Sequence, residues 1–133
     1  VKHLLLDTHA WAWSMTGDPR LSAKAKSALK GAENVFISPI SLFEIGQKVR
    51  IGKWPEMEPL LGRLLGLVEE QGGKYARLTP GIFLEAAVQD WSHRDLFDRI
   101  LGLTAIDMGL VMISADAVFD DLAGQVGWRG RVW

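Results

Sequence analysis

The chain has 133 residues, 48% apolar and 23% charged, with a formal net charge of −1 and no cysteine. That length suits one hydrophobic core, so residues 1–133 are expected to form a single domain, and the balance excludes a disordered or bilayer-embedded chain. Without cysteine there is neither a disulfide framework nor a thiolate metal site, which makes the cytoplasm the expected setting. Near-neutral charge neither favours nor excludes nucleic acid, since bound cations and a local basic patch can hold phosphate.

Short apolar runs alternate along the chain with longer helical patterns. Leu4-Leu5-Leu6, closed by Asp7, reads as a buried strand and is too short for a signal peptide or a membrane span. Trp11 and Trp13 follow on the first helix, about 200° apart around its axis, so both cannot face one core. One is expected at an interface or under a neighbouring helix. Ser22 to Lys30 is a helix with a serine N-cap and Gly31 past its end, and Val35 to Ser38 is a second strand. Met57 to Glu70 places Leu60, Leu61, Leu64, Leu65, Leu67 and Val68 on one helical face. Tyr75 to Leu78 is a weaker third strand, Thr79-Pro80 opens a helix, and Val111 to Ser114 is the fourth strand. Before it, Phe97 to Met108 carries Phe97, Ile100, Leu101, Thr104, Ala105 and Met108 at the spacing of a core-facing helix. An α/β fold with a mostly parallel sheet is expected.

Such sheets carry their sites at the carboxyl ends of the strands. Asp7 ends the first strand, Ser38 ends the second with Glu44 in the helix behind it, and Ser114 ends the fourth with Asp116 two residues on. Asp98 adds an acid from the opening turn of its helix, beside the apolar stripe. Carboxylates gathered in one crevice repel by about 3 kcal/mol per pair at ~5 Å and an effective dielectric of ~20, which a divalent cation relieves. All-oxygen ligation suits Mg²⁺ or Mn²⁺; the three histidines, His3, His9 and His93, lack a paired ligand spacing for Zn²⁺. Phosphodiester hydrolysis is the matching chemistry.

Four stretches, LLLDTHAWAW, SPISLFEIGQKVRIGKW, HRDLFDRILGLTA and LVMISADAVF, in this order and at these separations, resemble the PIN domains of VapC-type toxins. The resemblance runs from Leu4 to Trp133. It implies a three-layer α/β/α fold with a short sheet of four to five strands, and Mg²⁺- or Mn²⁺-dependent cleavage of RNA. It also implies a homodimer and a small antitoxin partner whose segment enters the active groove. By the same resemblance Asp7, Glu44, Asp98 and Asp116 are the acids, the three aspartates being metal ligands, with Thr8 and Ser114 as neighbouring hydroxyls. Two positions depart: Leu96 stands where proline is usual, and Ala117-Val118 replaces an Arg-containing pair.

Each of these residues has a plainer reading. Asp7 can be a turn or cap residue. Glu44 can close a capping box begun by Ser41, although Ser38-Pro39 is a stronger helix start and leaves its carboxylate free. Asp95 and Asp98 stand at N-cap and N3 spacing; we take Asp95 as the cap, keeping it as a supporting candidate, and Asp98 as the ligand. Lys48, Arg50, Lys53, Arg94 and Arg99 are candidates for a phosphate-binding rim. Asp120 and Asp121 read as a solvated face. Exposed tryptophans, Trp54 included, are candidate partner contacts. A signalling receiver domain would need an acidic pair after the first strand and a late lysine, and a haloacid-type phosphatase a second acid where His9 stands; neither pattern is met. A PIN-fold module that binds RNA or a partner without cutting is the remaining alternative, and the presence of all four acids argues against it.

Overall fold

The computed structural model describes residues 2–133. Its sheet has five strands, β1 (His3–Leu6), β2 (Asn34–Ile37), β3 (Lys74–Tyr75), β4 (Val111–Ile113) and β5 (Arg131–Val132). They pair in the order β3-β2-β1-β4-β5, all parallel. Leu6 lies beside Ile37 on one side and Ile113 on the other, so the next residues, Asp7, Ser38 and Ser114, stand together at the carboxyl edge. The chain leaves central β1 toward β2 on one side and reaches β4 on the other, and that reversal opens a crevice at the same edge.

Side chains of the central strand alternate between two helical layers. Leu4 and Leu6 pack with α1 (Thr8–Thr16), α2 (Ala23–Gly31), α3 (Pro39–Arg50) and α4 (Leu64–Glu70). Leu5 and Met112 pack instead with α6 (Leu96–Met108), Trp91, Phe119 and Leu122. α6 also packs with α5 (Pro80–Val88) through Ile82, Ala86, Ile100 and Leu103, and helices on both faces of the sheet give the expected three layers. Among the described residues no helix is long and apolar enough to cross a membrane.

Three elements depart from the sequence reading. The third strand stops at Tyr75 instead of reaching Leu78, because its partner β2 ends at Ile37 and Ser38 turns away into α3. The single helix expected over Met57 to Glu70 is a 3-10 segment, Pro55–Arg63, followed by α4. Pro59 inside it has no N–H for an α-helical bond. Leu61 and Leu65 are consequently exposed, while Met57, Leu64 and Val68 reach the core. Of the two tryptophans on α1, Trp11 is fully buried and cannot form partner surface, whereas Trp13 is half-buried at the edge of the crevice.

Gly102 shows how tightly α6 is seated. A Cβ there would lie 2.7 Å from Leu122 Cδ1 and 3.3 Å from the Trp91 ring. Both neighbours are buried, so neither has free space to retreat into. Gly102→Ala is therefore expected to destabilise the fold by about 1–3 kcal/mol despite alanine's better helix propensity. A rise in melting temperature on this change would show that Leu122 repacks freely.

Candidate active site

Asp7 is held on both oxygens. It N-caps α1, Oδ1 accepting from the Ala10 N–H at 2.7 Å, while Oδ2 accepts from the buried Ser114 hydroxyl. Ser114 Oγ in turn accepts from the Asp116 backbone N–H at 2.9 Å, so the ends of β1 and β4 are tied through the side chains of Asp7 and Ser114. Asp116 caps the 3-10 turn Ala117–Leu122 through Oδ1, accepting from the Val118 N–H at 3.0 Å. The cap reading of Asp7 and its candidate site role coexist, since one carboxylate both ends the strand and faces the crevice.

Ser38 N-caps α3 with Pro39 at its first position, the stronger start anticipated from sequence. Glu44 thus lies more than a turn inside the helix, buried, with Oε2 accepting from Lys48 Nζ at 2.6 Å. Beside it the Thr8 and Ser41 hydroxyls hydrogen-bond each other at 2.9 Å, joining α1 to α3.

Asp95 N-caps α6, its Oδ1 accepting from the Asp98 N–H at 2.9 Å, which starts the helix at Leu96 without a proline. Asp98, one turn in, accepts on Oδ2 from His93 Nε2 at 2.8 Å. Asp7, Thr8, His9, Trp13, Glu44, Lys48, Asp95, Asp98 and Asp116 line one open cleft of about 480 Å³.

Burial lifts the Asp7 carboxyl to about 6, raised further by the charges of Asp98 and Glu44 and opposed by its two hydrogen bonds. Asp98 is likewise pushed up to about 6, chiefly by burial and then by Asp95, with the His93 hydrogen bond acting against it. His9, stacked on Trp54 and facing Lys48, is held below the ordinary histidine range by lost water and then by that cation. Two carboxylates that resist ionisation side by side are a place where a cation is favoured. Asp98 Oδ1, Asp116 Oδ2 and Glu44 Oε1 accept no hydrogen bond among the described residues, and all three residues line the cleft. Among those same residues no group of three or more acids or histidines is drawn closely enough together to enclose an ion unaided. The set fits a hard, partly hydrated cation that completes its shell with water and substrate oxygens.

Residues 4–125 match the family model of the PIN domain. The chain belongs to the PIN domain family. It is 28% identical over 114 residues to Ribonuclease VapC22 of Mycobacterium tuberculosis, an alignment spanning 85% of this chain and 86% of that protein. Among solved structures, it resembles a toxin–antitoxin complex from Klebsiella pneumoniae with a TM-score of 0.58 and 20% identity, covering 94% of each chain. VapC20 of Mycobacterium tuberculosis, a sarcin-ricin-loop-cleaving toxin, gives a TM-score of 0.60 at 17% identity, over 90% of this chain and 95% of that one. At those identities the two structures speak to the fold.

In this PIN domain the basic residues anticipated as a phosphate rim divide. Lys48 lines the cleft. Arg50, Lys53 and Arg94 are exposed and outside its lining. Arg99 is not available for phosphate. Its Nε donates to the Ala86 carbonyl at 2.8 Å, Nη1 to those of Trp91 and His93 at 2.6 and 2.8 Å, and Nη2 to that of Gln89 at 2.6 Å. The spacing of the histidines in the sequence gives no sign of a metal-ligand role. His93 nevertheless orients Asp98, and His9 lines the cleft. Their one legible signal was adjacency, His9 following Asp7-Thr8 and His93 preceding Asp95. Arg131, also unread, donates to the Ser114 carbonyl at 3.0 Å and pairs with Asp120 at 2.9 Å.

Proposed function

We propose that this PIN domain is a divalent-metal-dependent endoribonuclease and the toxin of a toxin–antitoxin pair. The observation that carries the reading is the cleft at the carboxyl edge of the sheet, into which Asp7, Glu44, Asp98 and Asp116 converge from four separate elements. Family membership and the likeness to a VapC ribonuclease support it. Asp7, Asp98 and Asp116 would hold Mg²⁺ or Mn²⁺, which supplies Lewis acidity toward a phosphodiester and charge neutralisation around it. Glu44, fixed by Lys48, is placed to orient the attacking water and take its proton, while Lys48 offers a cation to the phosphate. Ser114 holds Asp7 and Asp95 fixes the turn that carries Asp98, while Thr8 ties α1 to α3 through Ser41. Arg50, Lys53 and Arg94 serve as outlying phosphate contacts.

As a toxin the protein works in the cytoplasm, where RNA is, and is silenced by a small partner that sends an Arg or Lys across the carboxylates. Phe83, Leu84 and Val88 on α5 and Leu96 at the start of α6 are exposed apolar side chains and support a homodimer through that face. Partner-free protein is expected to cleave single-stranded RNA with Mg²⁺ or Mn²⁺, to stop in EDTA, and to resume when metal is restored. Cleavage undiminished by EDTA would overturn the metal-dependent mechanism.

A further inference from the structure

His93 stands outside the lining of the acidic cleft, yet it acts on the site through Asp98, whose Oδ2 accepts from Nε2 at 2.8 Å. An ionised carboxylate can only accept, so Nε2 is the nitrogen that carries the proton. The imidazole is itself held from two directions. Its ring packs on Trp91, centroids 5.2 Å apart and planes at 44°, and the buried Trp91 is pinned in turn by its indole N–H, which donates to Asp121 Oδ2 at 3.2 Å. The His93 carbonyl accepts from Arg99 Nη1 at 2.8 Å. This chain of contacts ends on one oxygen of Asp98, and the other, Oδ1, accepts from no donor among the described residues.

The remaining acids of the cleft follow the same rule. Lys48 holds Glu44 Oε2, the Val118 N–H holds Asp116 Oδ1, and Asp7 has a donor on each oxygen. None therefore offers two unpartnered oxygens, the arrangement in which a carboxylate most readily clasps an ion from both sides. Ca²⁺, the larger ion with the higher coordination number, commonly takes carboxylates by both oxygens, whereas Mg²⁺ demands near-octahedral ligation and keeps several waters. We propose that His93 is a positioning residue that confines Asp98 to one-oxygen ligation, and so biases the site toward Mg²⁺ or Mn²⁺ and against Ca²⁺. The proposal rests on the metal-site part of the nuclease reading. With Oδ2 tethered to a fixed ring, the carboxylate cannot turn to present both oxygens equally. Without the tether it rotates about its Cβ–Cγ bond and can clasp the larger ion.

The test reads ion binding with no RNA present: Mn²⁺ bound to partner-free protein, followed by water-proton relaxation, is displaced by Mg²⁺ and, separately, by Ca²⁺. His93→Phe keeps a ring against Trp91 but has no N–H, and is expected to lower the ratio of Mg²⁺ to Ca²⁺ affinity about tenfold. His93→Gln, whose amide nitrogen can reach the place of Nε2, should restore the ratio, and His93→Asn, which stops short of it, should not. Loosened packing alone would weaken both ions together and would not be mended by glutamine. Thermal unfolding in EDTA checks that the variants are folded, and the phenylalanine and asparagine changes remove the tether independently. An unchanged ratio in both of them, equal weakening of both ions, or a wild-type protein that takes up no Mn²⁺ would overturn the assignment. If the ratio falls and is restored as expected while wild-type protein cuts no RNA, the nuclease reading fails and the role of His93 stands.

Discussion

Asp7→Asn is expected to make the protein more stable at pH 7 while lowering RNA cleavage roughly 10²–10³-fold. The two effects have one cause. With its carboxyl at about 6 in the fold against 3.8 for an ordinary aspartate, the folded state binds a proton more tightly than the unfolded chain. Stability from this group is thus fully present at low pH and is lost as pH rises from about 4 through about 6, where ionisation costs the fold about 3 kcal/mol. Asparagine carries no charge. Its Oδ1 keeps the cap on the Ala10 N–H, and its amide donates to Ser114 Oγ in place of accepting from it. In EDTA the variant should melt several degrees above wild type at pH 7, with the difference gone by about pH 4. Equal melting temperatures across that range would mean that the fold does not strain Asp7, and intact cleavage would remove it from the proposed site.

Arg99→Ala is expected to cost about 2–4 kcal/mol of stability and to lower cleavage ten- to a hundredfold without altering its salt dependence. One guanidinium holds the carbonyls of Ala86, Gln89, Trp91 and His93, and so shapes the link from α5 to the cap of α6. Without it, four carbonyls lose charged donors and must find water. The loop that brings His93 to Asp98 and Asp95 to the Asp98 N–H then loosens, so damage reaches the cleft although Arg99 is outside its lining. Lysine should rescue poorly, because a single ammonium with three donors cannot span the same fork. A phosphate-binding arginine would behave oppositely: melting unchanged, KM raised and the salt slope reduced. Thermal unfolding beside kinetics at two ionic strengths separates the two.

Local chemistry alone was enough for most of the scaffold. An apolar run closed by Asp7, another by Ser38 and a third by Ser114 each mark a strand end, and the caps Ser22, Ser38, Thr79 and Asp95 begin helices where their side chains accept the expected N–H groups. Those signals act within about four residues, so they can be read along the chain. The break of the Met57 to Glu70 helix was also local, written in Pro59, and apolar spacing masked it. Tertiary structure decided what depends on distant partners. It ended β3 where β2 stopped offering carbonyls, recruited Arg131–Val132 as a fifth strand beside β4, and turned Trp11 inward while leaving Trp13 at the cleft. It also spent Arg99 on backbone and gave His93 to Asp98. A long side chain settles on whichever charge or carbonyl the fold brings within reach. Its residue type reveals what it can bond, while its partner is set by elements far away in the chain.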